Sequence, residues 1–114
     1  MIRTFTASGA ITQYYFCKGT TTDGEVAVAS ANDSKILGIN NLAAASGDSV
    51  DVCLPGEMTW LKLSGTVAAG DTLMPHTDGT GRVATTTKCQ GALALENGVT
   101  GDIIEVLVIR ATTF

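Results

Sequence analysis

The stretch VAAGDTLMPHTDGTGRVATTT, residues 67 to 87, holds the single histidine of the 114-residue chain, His76, between Asp71 and Asp78. An imidazole flanked by carboxylates is raw material for general base catalysis or for a metal site. A protein metal site draws on three or four converging His, Cys, Asp or Glu side chains, however, and no HxH or HxxxH pair is present. Both aspartates also sit in glycine turns, Gly70-Asp71 and Asp78-Gly79, where a carboxylate accepting bonds from nearby backbone amides is reason enough for the residue. No metal, cofactor or catalytic role is therefore expected at His76. Asp51, Glu57 and Glu105 could supply a carboxylate pair, but on alternating strands they read as solvated charges. Cys17, Cys53 and Cys89 form no CxxC pair and are odd in number, which predicts reduced thiols acting as small core hydrophobes. There is no Walker loop, no GxGxxG opening a helix, no GxSxG elbow and no HExxH. The chain reads as a protein that is not an enzyme.

Seven basic residues against eleven acidic ones leave a net charge of -4, and the lysines and arginines are scattered. That pattern argues against nucleic acid, which needs a basic face. No apolar run is long enough to span a bilayer and the N-terminal segment lacks a secretion signal, so a soluble protein with no membrane partner is expected, staying where it is made. Apolar residues alternate with period two in short bursts bounded by glycine, asparagine and aspartate. Strands are predicted at 11–17, 25–30, 35–40, 49–54, 57–63, 82–87, 90–96 and 102–110, and AAAS at 43–46 hints at one helical turn. The last strand, DIIEVLVIR, is almost wholly apolar, as a central strand covered on both faces would be. The fold class is all-β, a small single-domain β-barrel or β-sandwich.

The pattern occurs twice. DGEVAVASANDSKILGINNLAAASGDSVDVCL reappears in outline as DGTGRVATTTKCQGALALENGVTGDIIEVLV, which predicts two similar halves joined by short glycine-rich turns. Asp23-Gly24 matches Asp78-Gly79, Gly38 matches Gly91, and Gly47-Asp48 matches Gly101-Asp102, while Gly70-Asp71 makes a third turn of that kind. Glycine is expected there because it reaches positive φ without a Cβ clash.

Two families share parts of this pattern. VAAGDTLM resembles the turn of biotinyl and lipoyl carrier domains, but Lys62 lies inside the apolar strand WLKLSG, and Lys35 and Lys88 lack the MKM or DKA surroundings of a modified lysine. Over most of its length the sequence more closely resembles the tailed-phage head-decoration, or capsid cement, proteins. The likeness rests on the order of KILGINNLAAASGDSVDVCLPG, LSGTVAAGDTLMPHTDGTGRVATTT and QGALALENGVTGDIIEVLVIR. It departs at ITQYYFCKGTTTDG, which is more aromatic than the family pattern.

This resemblance implies a structural protein added to the outside of an assembled phage head, with the major capsid protein as partner and a homotrimer as its assembly. It would be made in the host cytoplasm and reside on the outer capsid surface of the virion. Residues 1–10 then read either as an N-terminal arm that touches the capsid through Ile2, Arg3 and Phe5 or as the first edge strand, with residues 11–114 forming the β decoration domain. Trp60 and Tyr15 read as core anchors or as subunit-interface residues, Trp60 rather as core. Tyr14, Tyr15 and Phe16 are consecutive, so a strand must send at least one of them to a rim or an interface.

Overall fold

The computed structural model describes residues 2–31, 35–85 and 89–113. Ten strands follow in order. The first five are β1 (Ile2–Ala7), β2 (Phe16–Gly19), β3 (Glu25–Val28), β4 (Ile36–Asn40) and β5 (Ser49–Cys53). They close into a barrel in the order β1-β3-β2-β4-β5, because β1 pairs with β5 on one side and, in parallel, with β3 on the other. The second five are β6 (Met58–Lys62), β7 (Thr72–Pro75), β8 (Gly81–Val83), β9 (Cys89–Ala94) and β10 (Ile103–Thr113). They form a five-stranded sheet in the order β6-β10-β9-β7-β8. The chain is all-β, and among the described residues no helix occurs. Residues 43–46 make no helical turn, since Ala44 instead exchanges backbone bonds with Ile11.

The two halves are copies of one plan. Ile11 and Ala44 exchange two backbone bonds, as do Val67 and Gly98. Ala7 and Gly47 stand in the same relation to Asp48 as Leu63 and Gly101 do to Asp102: Ala7 N–H bonds the Asp48 carbonyl, and Leu63 N–H the Asp102 carbonyl, both at 2.8 Å. These correspondences extend the repeat upstream of the aspartate-glycine turns to Ser8-Gly9 and Ser64-Gly65. They also shift one alignment, because Asn40 corresponds to Ala94 by its bonds, which sets Gly38 against Ala92 and leaves Gly91 opposite Leu37. A one-residue slip in a strand exchanges its faces.

The turns repeat as well. Asp48, Asp71 and Asp102 donate their N–H to the carbonyl three residues back at 3.0, 3.1 and 3.0 Å, and the glycine before each takes φ of +86°, +93° and +90°. A turn with positive φ at its third residue selects glycine there. In two of them the aspartate closes the loop again: Asp71 Oδ2 accepts from Ala68 N–H at 2.9 Å and Asp102 Oδ2 from Val99 N–H at 3.0 Å.

One copy of the turn is built without glycine. Tyr14 donates its N–H to Asn40 O as Gly70 does to Ala94 O, so the tyrosine occupies the glycine position, and its φ is +66°. An L-residue there costs about 1–2 kcal/mol. Asn40, fully buried, holds the strained turn: its Oδ1 accepts from Tyr15 N–H at 2.9 Å, and its Nδ2 donates to Thr12 O at 2.8 Å and Leu42 O at 2.7 Å.

That turn explains why the first half closes and the second does not. In the first half, Thr6 N–H bonds Gly24 O and Ser8 N–H bonds Val26 O, which joins β1 to β3. In the second half Ser64 N–H still bonds Gly81 O, but Lys62 N–H turns to Tyr14 O at 3.0 Å and Gly79 O receives Phe16 N–H at 2.9 Å. Residues 14 to 16 are wedged between β6 and β8. Phe16 then lies fully buried with Ile36, Ile39 and Cys53 against Leu61, Leu63, Ile104, Val106 and Val108, so the first half's outer wall covers the second half's inner face. A second cluster of Phe5, Ala7, Ile11, Cys17, Val26, Val50 and Val52 fills the barrel itself.

Several expectations change against this frame. The predicted strand at 11–17 is a bridge, a turn and then β2; of the strand at 82–87, β8 ends at Val83 while residues 86 and 87 lie outside the described residues; and β7 lies where the sequence suggested only loop. Residues 2–7 are not a free arm: Ile2–Thr6 pair with β5, Thr6 and Ala7 also pair with β3, and residues 2–5 are open on that second side as an edge strand is. The three cysteines are buried and none is in a disulfide, and burial pushes the Cys17 thiol up to about 12, which closes thiolate chemistry there at neutral pH.

Two consequences are measurable by urea unfolding. Asn40→Ala removes three side-chain bonds to the backbone and is expected to cost more than about 2 kcal/mol; a loss below that would show that the turn holds without it. Gly101→Ala meets open space and bears only the positive-φ strain, roughly 1 kcal/mol. Gly79→Ala adds a Cβ that collides with Val28 Cγ1 and crowds Tyr15 Cδ2 at 3.1 Å, so it should be clearly the worse of the two, and equal losses would contradict the packing at the wedge.

Candidate interaction surface

The residues with chemical potential are dispersed by the fold. His76 begins the tight turn between β7 and β8, its N–H bonded to Thr80 O at 2.6 Å and its carbonyl accepting from Gly79 N–H at 2.9 Å. Asp71 faces the Ala68 amide in another turn, whereas Asp78 Oδ1 accepts from the Thr80 amide at 3.1 Å and from the Thr80 hydroxyl. Partial burial raises the Asp78 pKa, but the Thr80 hydroxyl and amide and the neighbouring His76 outweigh it and hold the carboxyl below its usual range. A shallow cleft of about 230 Å³ beside His76 is lined by Ser64, Gly65, Thr66, Arg82 and Val83. No carboxylate joins the imidazole there, and among the described residues no group of three His, Cys, Asp or Glu could hold a metal. Asp51 accepts from the Thr4 hydroxyl at 2.7 Å on the barrel, while Glu105 lies on β10, so these carboxylates belong to different halves. Lys62 is within β6 rather than at a hairpin tip, Lys35 precedes β4, and Lys88 lies outside the described residues.

The residues marked for contact also separate. Ile2 is 50% exposed on the barrel's outer face and Arg3 is exposed, its guanidinium carbon 4.7 Å from the centre of the Phe5 ring. Phe5 points into the barrel and is buried, so it offers nothing to a partner. Tyr15 is half-buried at the wedge, and Trp60 is not a core anchor: it is 44% exposed.

Trp60 belongs to an array. Along β6 the side chains alternate, with Thr59 and Leu61 inward and Met58 and Trp60 outward. Along β10 Ile104, Val106 and Val108 are buried, while Ile103, Glu105 and Leu107 face out. The register sets Met58 opposite Leu107, Trp60 opposite Glu105 and Lys62 opposite Ile103, and Leu93 of β9 flanks Leu107 on the far side. Leu95 follows, its N–H bonded to Glu105 O. Directly opposed side chains lie about 4.5–5.5 Å apart at Cβ, so these residues make a continuous surface. The final strand is thus central in its sheet yet covered on one face only.

The duplicated plan supplies an internal comparison. By register, Thr4 stands where Trp60 does, Thr6 where Lys62 does, Ser49 where Ile103 does and Asp51 where Glu105 does. Ile2 likewise stands where Met58 does and Cys53 where Leu107 does, so the faces differ at Trp60 and Ile103, which replace a threonine and a serine. An exposed apolar patch ringed by polar residues marks a contact surface.

No family model matches this sequence, and no curated protein matches it. Among solved structures, the crystal structure of the head fiber gp8.5 N base in bacteriophage phi29 superposes with a TM-score of 0.72 over 100% of this chain and 98% of that one, at 17% sequence identity. The two share a fold. At that identity the likeness is one of architecture, and it runs through both halves rather than through one of them.

Sequence reasoning singled out Trp60 but passed over Met58, Ile103, Leu107 and Leu95. The available signal was the contrast between the matched strands SVDVCL and DIIEVLV, where Ser49 and Cys53 of one stand against Ile103 and Leu107 of the other, with an acidic residue between them in both. The face assignment has a direct check in neighbouring residues of β6. Leu61→Ala, fully buried, is expected to cost about 2–5 kcal/mol. Trp60→Ser, at protein concentrations where the chain is monomeric, should stay within about 0.5 kcal/mol of the parent; a larger loss would place Trp60 in the core.

Proposed function

We propose that this chain is a non-enzymatic capsid decoration protein that binds the exterior of an assembled phage head, contacts the major capsid protein and stabilises capsomer junctions as a homotrimer. The observation that carries this reading is the full-length fold likeness to a head fiber N base, a protein part of a phage head by its own description. The ordered glycine-turn pattern, which resembles that of head-decoration proteins, and the apolar outer face of the second half support it. The proposed location is the outer surface of the virion after synthesis in the host cytoplasm.

The mechanism needs no reacting group. A protein that binds the assembled lattice and not its separated subunits adds its binding free energy to the work of pulling capsomers apart. Three linked copies strengthen the effect, because docking of one holds the other two at high effective concentration over their own sites. A rigid β domain suits the task, since little conformational freedom is lost on binding. Within the first strand, Ile2 and Arg3 are the exposed residues proposed to touch the shell.

Co-sedimentation tests the reading. The purified protein is expected to pellet with expanded heads at saturable stoichiometry, to leave free major capsid protein in the supernatant, and to raise the temperature at which heads release their DNA. Heads that neither bind the protein nor gain stability would overturn it.

A further inference from the structure

We infer that the outer face of the β6-β10-β9 sheet is where copies of this chain meet, and that Lys62 of one copy pairs there with Glu105 of the next. This deepens the homotrimer reading above and names its contact. The face carries Met58 at 64%, Trp60 at 44% and Ile103 at 47% exposure, with Leu95 and Leu107 beside them. Its counterpart on the first half, with the same strand pairing, is closed by a hydrogen bond between Thr4 and Asp51 and bears Thr4 and Ser49 where Trp60 and Ile103 stand, while Ile2 stands where Met58 does. Two copies of one strand pair have diverged, one toward water and the other toward a partner.

The charges on this face identify the partner. Lys62 lies opposite Ile103 and Glu105 opposite Trp60, which sets the two charges diagonally across an apolar face, and among the described residues neither forms an ion pair within the chain. Covering such a face leaves a lysine and a glutamate that each need an opposite charge, because an unpaired buried charge is costly. A second copy brings both complements at once. Within the patch of Met58, Trp60, Lys62, Ile103, Glu105 and Leu107 the two charges cancel, although the chain carries a net charge of -4, so like copies repel less when they approach through it. In a ring each copy gives Lys62 to one neighbour and Glu105 to the other, a heterologous contact that closes when the rotation between copies allows. A capsid subunit would have to present a separately matched pair of charges.

Charge reversal separates these cases. Sedimentation of the full chain should show about three copies for the parent. Lys62→Glu and Glu105→Lys, both on the solvent face, should each weaken association at least about tenfold, equivalent to about 1.4 kcal/mol. The double variant Lys62→Glu/Glu105→Lys should recover most of the affinity, since every swapped charge again meets its opposite; circular dichroism and melting of the three variants verify folding. Single variants that assemble like the parent would overturn the inference, as would a double variant no better than either single one. Single variants that lose head binding with unchanged sedimentation would assign the face to the capsid instead. A parent that is monomeric yet decorates heads would refute this contact and leave the decoration reading standing, whereas a charge-dependent trimer that ignores heads would do the reverse.

Discussion

The structure turns on one buried amide. Asn40 ties Tyr15 N–H, Thr12 O and Leu42 O together, and in doing so holds Tyr14 in a left-handed conformation that its counterpart reaches with a glycine. The held turn projects its neighbours into the second half, where Tyr14 O accepts from the Lys62 amide and Phe16 N–H donates to the Gly79 carbonyl. Strain in the backbone persists only where surrounding bonds over-determine it. Here three side-chain bonds and two cross-half backbone bonds do so, and Phe16 is carried into the joint core as a result.

From that wedge follows the asymmetry between the halves. The first five strands close on themselves and hide Phe5, Ala7, Ile11, Cys17, Val26, Val50 and Val52 in their own interior. The second five cannot close between β6 and β8, so their inner face is covered by the first half's wall of Ile36, Ile39 and Cys53. What remains is a sheet with one face buried inside the chain and an outer face that is still apolar. Glycine makes the approach feasible at two points: Gly79, where a Cβ would strike Val28, and Gly91, where it would crowd Ile36 Cγ2 at 2.9 Å and Phe16 Cε1 at 3.1 Å.

The division of labour among the acidic residues is equally physical. Asp71 and Asp102 are consumed by turn amides, Asp78 by Thr80 and Asp51 by Thr4. Glu105 differs, lying on an apolar sheet face beside tryptophan with no local amide to satisfy. A carboxylate placed that way is poorly explained by turn chemistry and well explained by a partner's cation.

Sequence by itself determined the class of structure and its rhythm. Period-two apolar patterning makes strands, and glycine followed by aspartate makes the recurring turn, because both depend on residues adjacent in the chain. The repeat was legible for the same reason, through the aspartate-glycine and glycine-aspartate pairs at Asp23, Asp78, Asp48 and Asp102. The burial of Cys17, Cys53 and Cys89 followed from their apolar surroundings. Tertiary structure alone decided the rest. DIIEVLVIR reads as covered on both faces, since hydrophobicity records that a face avoids water and not whether the chain itself supplies the cover; only the packing leaves Ile103 and Leu107 outside. MIRTFTA reads as an arm or an edge, and only pairing with β5 and β3, strands distant in sequence, makes it a wall of the barrel and turns Phe5 inward. YYF carries no local sign that it will leave its own half, because the groups that receive it, on Lys62 and Gly79, come from the other half of the chain.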